Sequence, residues 1–378
     1  MATSTAYPVG FQCAGAIVEQ LRSSLGAPCQ KQRTSPPSLG YMCTYVPEEI
    51  IHAAGFAALR ILPGTAPAFI ADAWLPGFCC AVARGCLARS LSGELDQLSG
   101  LVFASTCDTM QCLGDIWGMA RPQDQIVDID TPTHLDSHHV MSYLTGELSR
   151  FAHEVAAISG RAISFQTLWQ SIRLYNRKRQ LLRQLEDSRE HLNSTDYLVV
   201  INAGFVLPVE AYVALLEQLT IQLSEESHSE VATGIPLMIS GALLEDTTVH
   251  ELLDELGGRV VGDDLCNGSR YYDTLVAESG DPFEALAVRY LHRAPCPCKH
   301  APAHSRLERL RGMVRCTEAS GIIFALHKFC EPHAFDYPYL AHTLEEEGIP
   351  SLLLEVESTS SRGQLRTRLQ AFLEILSL

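Results

Sequence analysis

Long hydrophobic runs are missing from this sequence. No stretch of its 378 residues reaches the roughly 18 uncharged apolar residues that a transmembrane helix needs. The first part of the chain also lacks a basic segment followed by an apolar core, which is the pattern of a secretion signal. These two absences predict a cytoplasmic protein.

Positive charge is scarce. Lys and Arg number 28 against 44 Asp and Glu, which gives a net charge of -16. A field of that sign repels polyanions, so the composition disfavours nucleic-acid binding and favours a protein or small-molecule partner. Charged residues make up 19% of the chain and hydrophobic residues 47%. The chain can therefore bury large cores, and wholesale disorder is excluded.

Several short binding motifs are also absent. The sequence has no GxxxxGK(S/T) loop and no GxGxxG after a predicted strand, so neither ATP nor a dinucleotide has its usual binding loop. Paired CxxC motifs of zinc sites and the C-x2-C-x2-C spacing of ferredoxins are missing as well. If ATP is consumed, another protein consumes it, and metal ligands must converge from separate parts of the chain.

Cysteine, in contrast, is abundant, with 13 residues. The cytosol keeps thiols reduced, so metal or iron–sulfur ligation is the leading explanation for so many of them. The alternative is cysteine as a small apolar filler, which fits Cys13, Cys29 and Cys316 because they have no distinctive sequence context. It does not explain the thiols that lie in turns beside Pro, Gly and Asp.

From residue 40 onward, apolar runs alternate with helical periodicity, which is typical of parallel β/α units. We predict an α/β fold with two Rossmann-like open parallel-sheet domains facing a cleft. The predicted boundaries are 1–39 for an N-terminal helical cap, 40–133 for the first domain, 134–195 for a helical bridge and 196–378 for the second domain. Predicted strands cover 57–62, 101–106, 125–130, 235–240, 259–263, 321–326 and 350–356. The run YLVVINAGF, which begins at Tyr197, fits either a strand or a buried helix.

Several cysteines follow predicted strands. In open parallel sheets, sites form beyond the carboxyl ends of the strands, and Cys107, Cys266 and Cys330 all fall there. Cys43 lies just before a predicted helix whose first turn holds Glu48, and a helix N-terminus stabilises a thiolate. These four positions therefore favour ligation over packing. The further candidates are Cys79, Cys80, Cys86, Cys112, Cys296 and Cys298.

Lys328 and His333 flank Cys330. Their charge or N–H donors suit them to tune a metal cluster or to bind an anionic substrate. The other basic residues near these cysteines are interpreted as ordinary surface residues, namely Arg270, Arg293 and Lys299.

Six motifs follow one another along the chain: GYMCTYVPEEIIHAAG, VFASTCDTMQCLGDIW, SIRLYNRKRQLL, DDLCNGSRYY, HKFCEPHAFDYPYL and GQLRTRLQAFLE. In this order and spacing they resemble the family of 2-hydroxyacyl-CoA dehydratase and benzoyl-CoA reductase subunits. The resemblance implies a 4Fe-4S cluster held by three cysteines that match Cys43, Cys107 and Cys330, with the fourth iron open to substrate or a small ligand. It also implies a separate ATP-hydrolysing activator that donates a low-potential electron.

One branch of this family, the double-cubane cluster proteins, carries two linked cubanes (8Fe-9S) in a single subunit and reduces small molecules. The sequence resembles that branch in having additional cysteines that match Cys79, Cys266 and Cys296. The departures from its pattern are Cys80 and Cys298, either of which is an alternative to its neighbour. The resemblance favours Cys79 over Cys80 and Cys296 over Cys298.

We therefore predict an anaerobic iron–sulfur reductase with a double-cubane cluster, and the candidates for catalysis are Glu48, Lys328 and His333. Its partners are the ATP-dependent activator and a second subunit, in a homodimer or in a heterodimer with a similar chain. The alternative is the 4Fe-4S subunit of a 2-hydroxyacyl-CoA dehydratase or benzoyl-CoA reductase, acting by ketyl-radical chemistry on an acyl-CoA substrate. A second alternative is a cluster-carrying electron-transfer protein without catalytic activity.

Overall fold

A computed structural model describes residues 14–26, 36–225, 233–301, 304–357 and 361–378. Cys13 and Cys29 lie outside these ranges. The strands are β1 (Ser38–Tyr41), β2 (Ala57–Arg60), β3 (Leu101–Ala104), β4 (Ile126–Ile129), β5 (Ile235–Gly241), β6 (Gly258–Asp264), β7 (Gly321–His327) and β8 (Ser351–Val356). The helices are α1 (Ala14–Gly26), α2 (Glu48–Ala53), α3 (Ala81–Leu91), α4 (Asp108–Ala120), α5 (Val140–Ser159), α6 (Phe165–Asp187), α7 (Ser194–Val206), α8 (Val209–Glu225), α9 (Thr248–Leu256), α10 (Ser269–Tyr272), α11 (Pro282–His292), α12 (His304–Thr317), α13 (Glu331–Glu346) and α14 (Arg362–Leu376).

The strands form two four-stranded sheets, and every pairing within them is parallel. The first has the order β2-β1-β3-β4 and the second the order β6-β5-β7-β8. Because parallel neighbours need crossover connections, helices cover the faces of both sheets and the strands are apolar runs rather than alternating ones. This arrangement confirms the predicted α/β class with two Rossmann-like sheets.

Helices pack on both faces of each sheet. α3 and α4 share an apolar core with one face of the first sheet, and the long helices α5 to α8 lie with α1 on its other face. In the second sheet, α9 and α14 cover one face and α12 and α13 the other. Tyr271 and Tyr290, from α10 and α11, return to the core of the first half.

The helices between the two sheets extend further along the chain than the predicted helical bridge of residues 134–195. The run from Tyr197 forms α7, which is buried on almost every face, so its apolar residues follow no alternation that would distinguish it from a strand. α7 and α8 follow each other directly, and the alternation of strands and helices resumes only at β5. No helix in the described part of the chain is long and apolar enough to cross a membrane.

β1 is a strand that the sequence pattern does not predict, and it lies at a central position of the first sheet. It has only four residues, one of them Gly40. A Cβ atom at Gly40 would lie 2.8 Å from Cδ1 of Ile61, so the glycine allows close packing there. The strand begins two residues before the first predicted domain.

Candidate iron–sulfur site

Cysteines from both halves of the chain lie beyond the carboxyl ends of strands. Cys43 follows β1, Cys107 follows β3, Cys266 follows β6 and Cys330 follows β7. Thr106 donates a long hydrogen bond to Cys43, with 3.7 Å between Oγ1 and Sγ. Since β1 and β3 are neighbours in their sheet, the residues that follow them share one edge.

Three of the thiols are carried by the residues that cap helix N-termini. Cys80 caps α3, Cys107 caps α4 and Cys330 caps α13. A capping side chain lies beside the free backbone N–H groups of the first helical turn, where the helix dipole favours negative charge. The sequence thus offers three thiols at positions suited to carry charge as thiolates.

Burial opposes ionisation of these thiols in the absence of iron. It raises the pKa of Cys107 to about 12, while the backbone N–H of Met110 acts in the opposite direction. Burial likewise raises the pKa of Cys330, and the neighbouring Cys80, Cys296 and Cys107 thiols add to that rise. Thiols that raise one another's pKa lie within electrostatic range of one another.

Electrostatic effects of thiols on one another's pKa also involve further cysteines. Cys43 is affected by Cys266 and Cys296, and Cys107 by Cys80, Cys43 and Cys296. These electrostatic effects link Cys43, Cys80, Cys107, Cys266, Cys296, Cys298 and Cys330, and three of these residues, Cys43, Cys266 and Cys296, line one cavity. We call this set the thiol group.

Cys79 raises the pKa of Cys80 but, unlike Cys80, is not among the thiols that raise the pKa of Cys107 or Cys330. Burial and the thiol of Cys112 raise its pKa, whereas Arg84 lowers it, so its neighbours are residues of α3 and α4. Cys80 is buried and extended at its backbone, with φ -62° and ψ 151°.

A small cavity of about 20 Å³ lies within this region. Its lining consists of Cys43, Thr44, Tyr45, Cys266, Arg270, Arg293, Ala294 and Cys296. Burial opposes ionisation of Cys266, but Arg60 and Arg270 together hold the pKa of this thiol below its usual value. The hydrogen bond from Cys298 lowers the pKa of Cys296 and raises that of Cys298. Cys296 is thus the better thiolate of that pair.

The chemistry of the surrounding residues fits an anionic group. Arg60 and Arg270 each have two buried N–H groups without a hydrogen-bond partner, and Arg293 has one. Buried donors normally find acceptors, and an iron–sulfur cluster with thiolate ligands supplies negative charge and acceptor sulfurs. Among the described residues, no three His, Cys, Asp or Glu side chains form a site for a single metal ion. The unpaired guanidinium donors fit an anionic group held by the neighbouring thiols.

His333 lies against the thiol group. Its Nδ1 is 3.4 Å from Sγ of Cys330, and its Nε2 is 3.4 Å from Nη2 of Arg270. Burial lowers the pKa of His333, and the nearby Arg270 and Arg306 guanidiniums lower it further. His333 is therefore a neutral link between an arginine and a thiol.

Glu48 and Lys328 occupy different surroundings. Glu48 is buried and accepts hydrogen bonds from the hydroxyls of Tyr41 at 2.9 Å and Tyr271 at 2.5 Å. Lys178 lies 3.5 Å from it, so Glu48 belongs to a polar network beneath the site. Lys328 is exposed and lines an open surface pocket with Glu355 and Arg368. Neither residue contacts a thiol in the described part of the chain.

The remaining cysteines have separate environments. Cys86 is buried in apolar packing and donates to the backbone oxygen of Ile61. Cys112 and Cys316 are exposed. Arg270, Arg293 and Lys299 are buried rather than superficial, because each finds backbone or hydroxyl acceptors next to the thiol group. Arg60 has no sequence signal other than its position in a predicted strand.

Comparison with known proteins agrees with the motifs. The sequence profile of the family 2-hydroxyglutaryl-CoA dehydratase, D-component, matches residues 43–376. The beta subunit of lactoyl-CoA dehydratase from Anaerotignum propionicum is 28% identical, over 96% of this chain and 99% of that protein. A benzoyl-CoA reductase subunit from Thauera aromatica is 27% identical, over 96% and 97%. The beta subunit of (R)-phenyllactyl-CoA dehydratase from Clostridium sporogenes is 25% identical, over 91% and 93%. These matches confirm the resemblance that the motifs indicate.

Proposed function

Because the chain belongs to the 2-hydroxyglutaryl-CoA dehydratase, D-component, family, whose members include subunits of dehydratases and of benzoyl-CoA reductase, we propose that it is an iron–sulfur enzyme. Its cofactor is a double-cubane cluster, and its reaction is the low-potential one-electron reduction of small molecules. The electrons come from a separate ATP-dependent activator, since the sequence has no P-loop of its own.

The observation that carries this proposal is the number of thiols in one place. A single cubane with an open iron needs three cysteines. Here Cys43, Cys266 and Cys296 already line one cavity, and Cys80, Cys107 and Cys330 are linked to them by electrostatic effects. The proposed ligands are Cys43, Cys80, Cys107, Cys266, Cys296 and Cys330. Cys80 replaces Cys79 in this set because Cys80, and not Cys79, is among the thiols that raise the pKa of Cys107 and Cys330.

When bound, such a cluster supplies one-electron transfer at a potential that charge, burial and hydrogen bonds to sulfur determine within roughly −700 to +450 mV. The chain contributes each of these influences. Buried arginines provide positive charge, and the N-termini of α3, α4 and α13 provide backbone N–H groups. His333 holds Cys330 in place.

Exclusion of water is the second contribution of the chain. Arg270 and Arg293 are 2% and 3% exposed, so bulk solvent does not reach these guanidiniums. Closure of the two sheets on each other would complete this exclusion. Lys328, exposed at the edge of the second sheet, is proposed to attract an anionic substrate or partner.

An iron and sulfide count on anaerobically purified protein tests the proposal. We expect about eight irons per chain and an electron paramagnetic resonance signal after reduction, as two linked cubanes require. A preparation without iron under strict anaerobiosis would overturn the assignment. A matched control is Cys316→Ala, whose exposed thiol lies away from the others, and it should retain the full iron content.

The alternative function is a 4Fe-4S subunit of a 2-hydroxyacyl-CoA dehydratase or benzoyl-CoA reductase. It is favoured by the relatives, which are themselves named as subunits. About four irons per chain, together with activity only after addition of a second similar subunit, would establish it over the double-cubane reductase. A homodimer that turns over small molecules alone supports the first proposal.

A further inference from the structure

Arg60, from a strand of the first sheet, contacts a thiol that follows a strand of the second sheet. It is the last residue of β2 in the first sheet and is only 4% exposed. Its Nη2 donates to Sγ of Cys266 at 3.2 Å, and Cys266 follows β6 of the second sheet. A guanidinium from one half of the molecule thus contacts a thiol of the other.

Arg60 lacks a carboxylate partner of the kind that Arg179 and Arg189 have. Arg179 pairs with Glu49 and Arg189 with Asp263. Among the described residues Arg60 forms no ion pair, and its Nε and Nη1 are buried without a hydrogen-bond partner. Glu245 lies within electrostatic range, but its carboxylate accepts from the backbone N–H of Gly64 at 2.9 Å.

The unpaired guanidinium requires compensation. A buried charge without a partner is strongly disfavoured in a protein interior. The ring of Phe205, 5.1 Å from Cζ of Arg60, recovers only part of this through a cation–π contact. A negatively charged group held by Cys266 would accept from the free N–H groups and balance the charge.

We propose that Arg60 is a positioning residue that raises the reduction potential of the cluster ligated by Cys266. The inference rests on the proposed function. A hydrogen bond to the ligand sulfur and a nearby positive charge both stabilise the reduced state, which carries one more negative charge than the oxidised state. Arg60 makes both contributions from a single side chain.

Arg60→Gln tests the proposal in the intact, iron-loaded protein. Removal of the charge should lower the ratio of reduced to oxidised cluster at a fixed solution potential about tenfold, which for one electron corresponds to about 59 mV. Arg60→Lys keeps the charge but loses the planar group that reaches the sulfur, so its shift should have the same sign and be smaller. Potentials are measured by redox titration followed by electron paramagnetic resonance, and iron is counted in each sample.

Arg177→Gln is the matched control. Arg177 lies on the surface of α6 in an exposed pair with Glu217, so its loss removes one positive charge from the solvent-exposed surface and should leave the potential unchanged. An Arg60→Gln protein with full iron and a wild-type potential would overturn the inference.

If Arg60→Gln does not retain iron, the reduction potential of Arg60→Lys tests the inference. A lowered potential in the lysine variant then supports the role of Arg60, and a wild-type potential contradicts it. Absence of iron from the wild-type protein, in contrast, would contradict the proposed function itself, so the two failures are distinguishable.

Discussion

At the scale of single residues, two adjacent cysteines have different environments. Cys80 caps α3 and raises the pKa of Cys107 and Cys330, whereas Cys79 is influenced by Cys112 of α4. We therefore expect Cys80→Ala to lower the iron content, as Cys43→Ala should, because each removes a ligand. Cys79→Ala removes the neighbouring thiol and should keep the wild-type iron content. Iron loss in Cys79→Ala but not in Cys80→Ala would reverse this assignment.

The sequence predicts where thiols lie along the chain but not which way they point. Cys107, Cys266 and Cys330 are recognisable because each follows an apolar strand, and strands end where sites form. The choice between Cys79 and Cys80 depends on the backbone angles at the start of α3, which neighbouring residues do not specify. The sequence likewise does not indicate the role of Arg60, because its partner Cys266 is 206 positions away.

Glu186 provides a residue-level prediction about pH. Burial, with the Asp263 carboxylate nearby, raises the pKa of Glu186 to about 7 from its ordinary 4.5. A raised pKa means that the folded state favours the protonated carboxyl. The contribution of Glu186 to the free energy of unfolding is therefore complete below pH 4.5 and is lost as pH rises through about 7. Glu186→Gln should therefore become more stable than wild type above pH 7, by an upper limit of about 3 kcal/mol that solvent screening reduces.

The measurement is the free energy of unfolding by urea between pH 5 and pH 8. Glu190→Gln, at an exposed position nearby, is the control and should follow the wild-type profile. Parallel profiles for Glu186→Gln and wild type would contradict the prediction.

At the scale of elements, two of the ion pairs that α6 forms lie in opposite environments. Arg179 and Glu49 are both 0% exposed, whereas Arg177 and Glu217 are exposed by 44% and 43%. Arg179→Gln should destabilise the protein by about 3–5 kcal/mol, because it leaves a buried carboxylate without its cation. Arg177→Gln should cost at most about 1 kcal/mol.

Urea unfolding of the two variants compares these pairs within one helix. Equal losses of unfolding free energy would show that burial does not determine the cost. The result also bears on the site, since Glu49 belongs to α2, the helix that follows Cys43.

Prediction of elements works where periodicity is strong. Seven of the strands lie close to their predicted positions because apolar runs between polar turns are typical of buried parallel strands. β1 is not predicted from the sequence because a four-residue strand that contains a glycine shows little hydrophobic pattern. α7 stays ambiguous in the sequence because burial on all sides removes the period that distinguishes helix from strand.

At the scale of the whole molecule, the proposed ligands come from both sheets. Cys43 and Cys107 follow strands of the first, and Cys266 and Cys330 follow strands of the second. A group bound by all of them links the halves and stabilises the native state by its binding free energy. Removal of iron with a chelator should therefore lower the melting temperature measured anaerobically. A Cys316→Ala sample should show the same decrease, and an unchanged melting temperature after iron loss would argue against ligands from both halves.

The two-sheet architecture follows from the sequence, because β/α alternation predicts parallel strands and helical covers. The convergence of the thiols depends on how the halves meet, which no local pattern contains. The common strand order of the two sheets likewise emerges only in three dimensions.

The return of α10 and α11 to the core of the first half affects synthesis of the chain. Tyr271 and Tyr290 fill space between elements that precede them by many residues. A nascent chain leaves the ribosome from its N-terminus at about 5–20 residues per second. The apolar surface of the first half therefore stays exposed until α11 has left the ribosome. We expect a chaperone to be most needed during this interval.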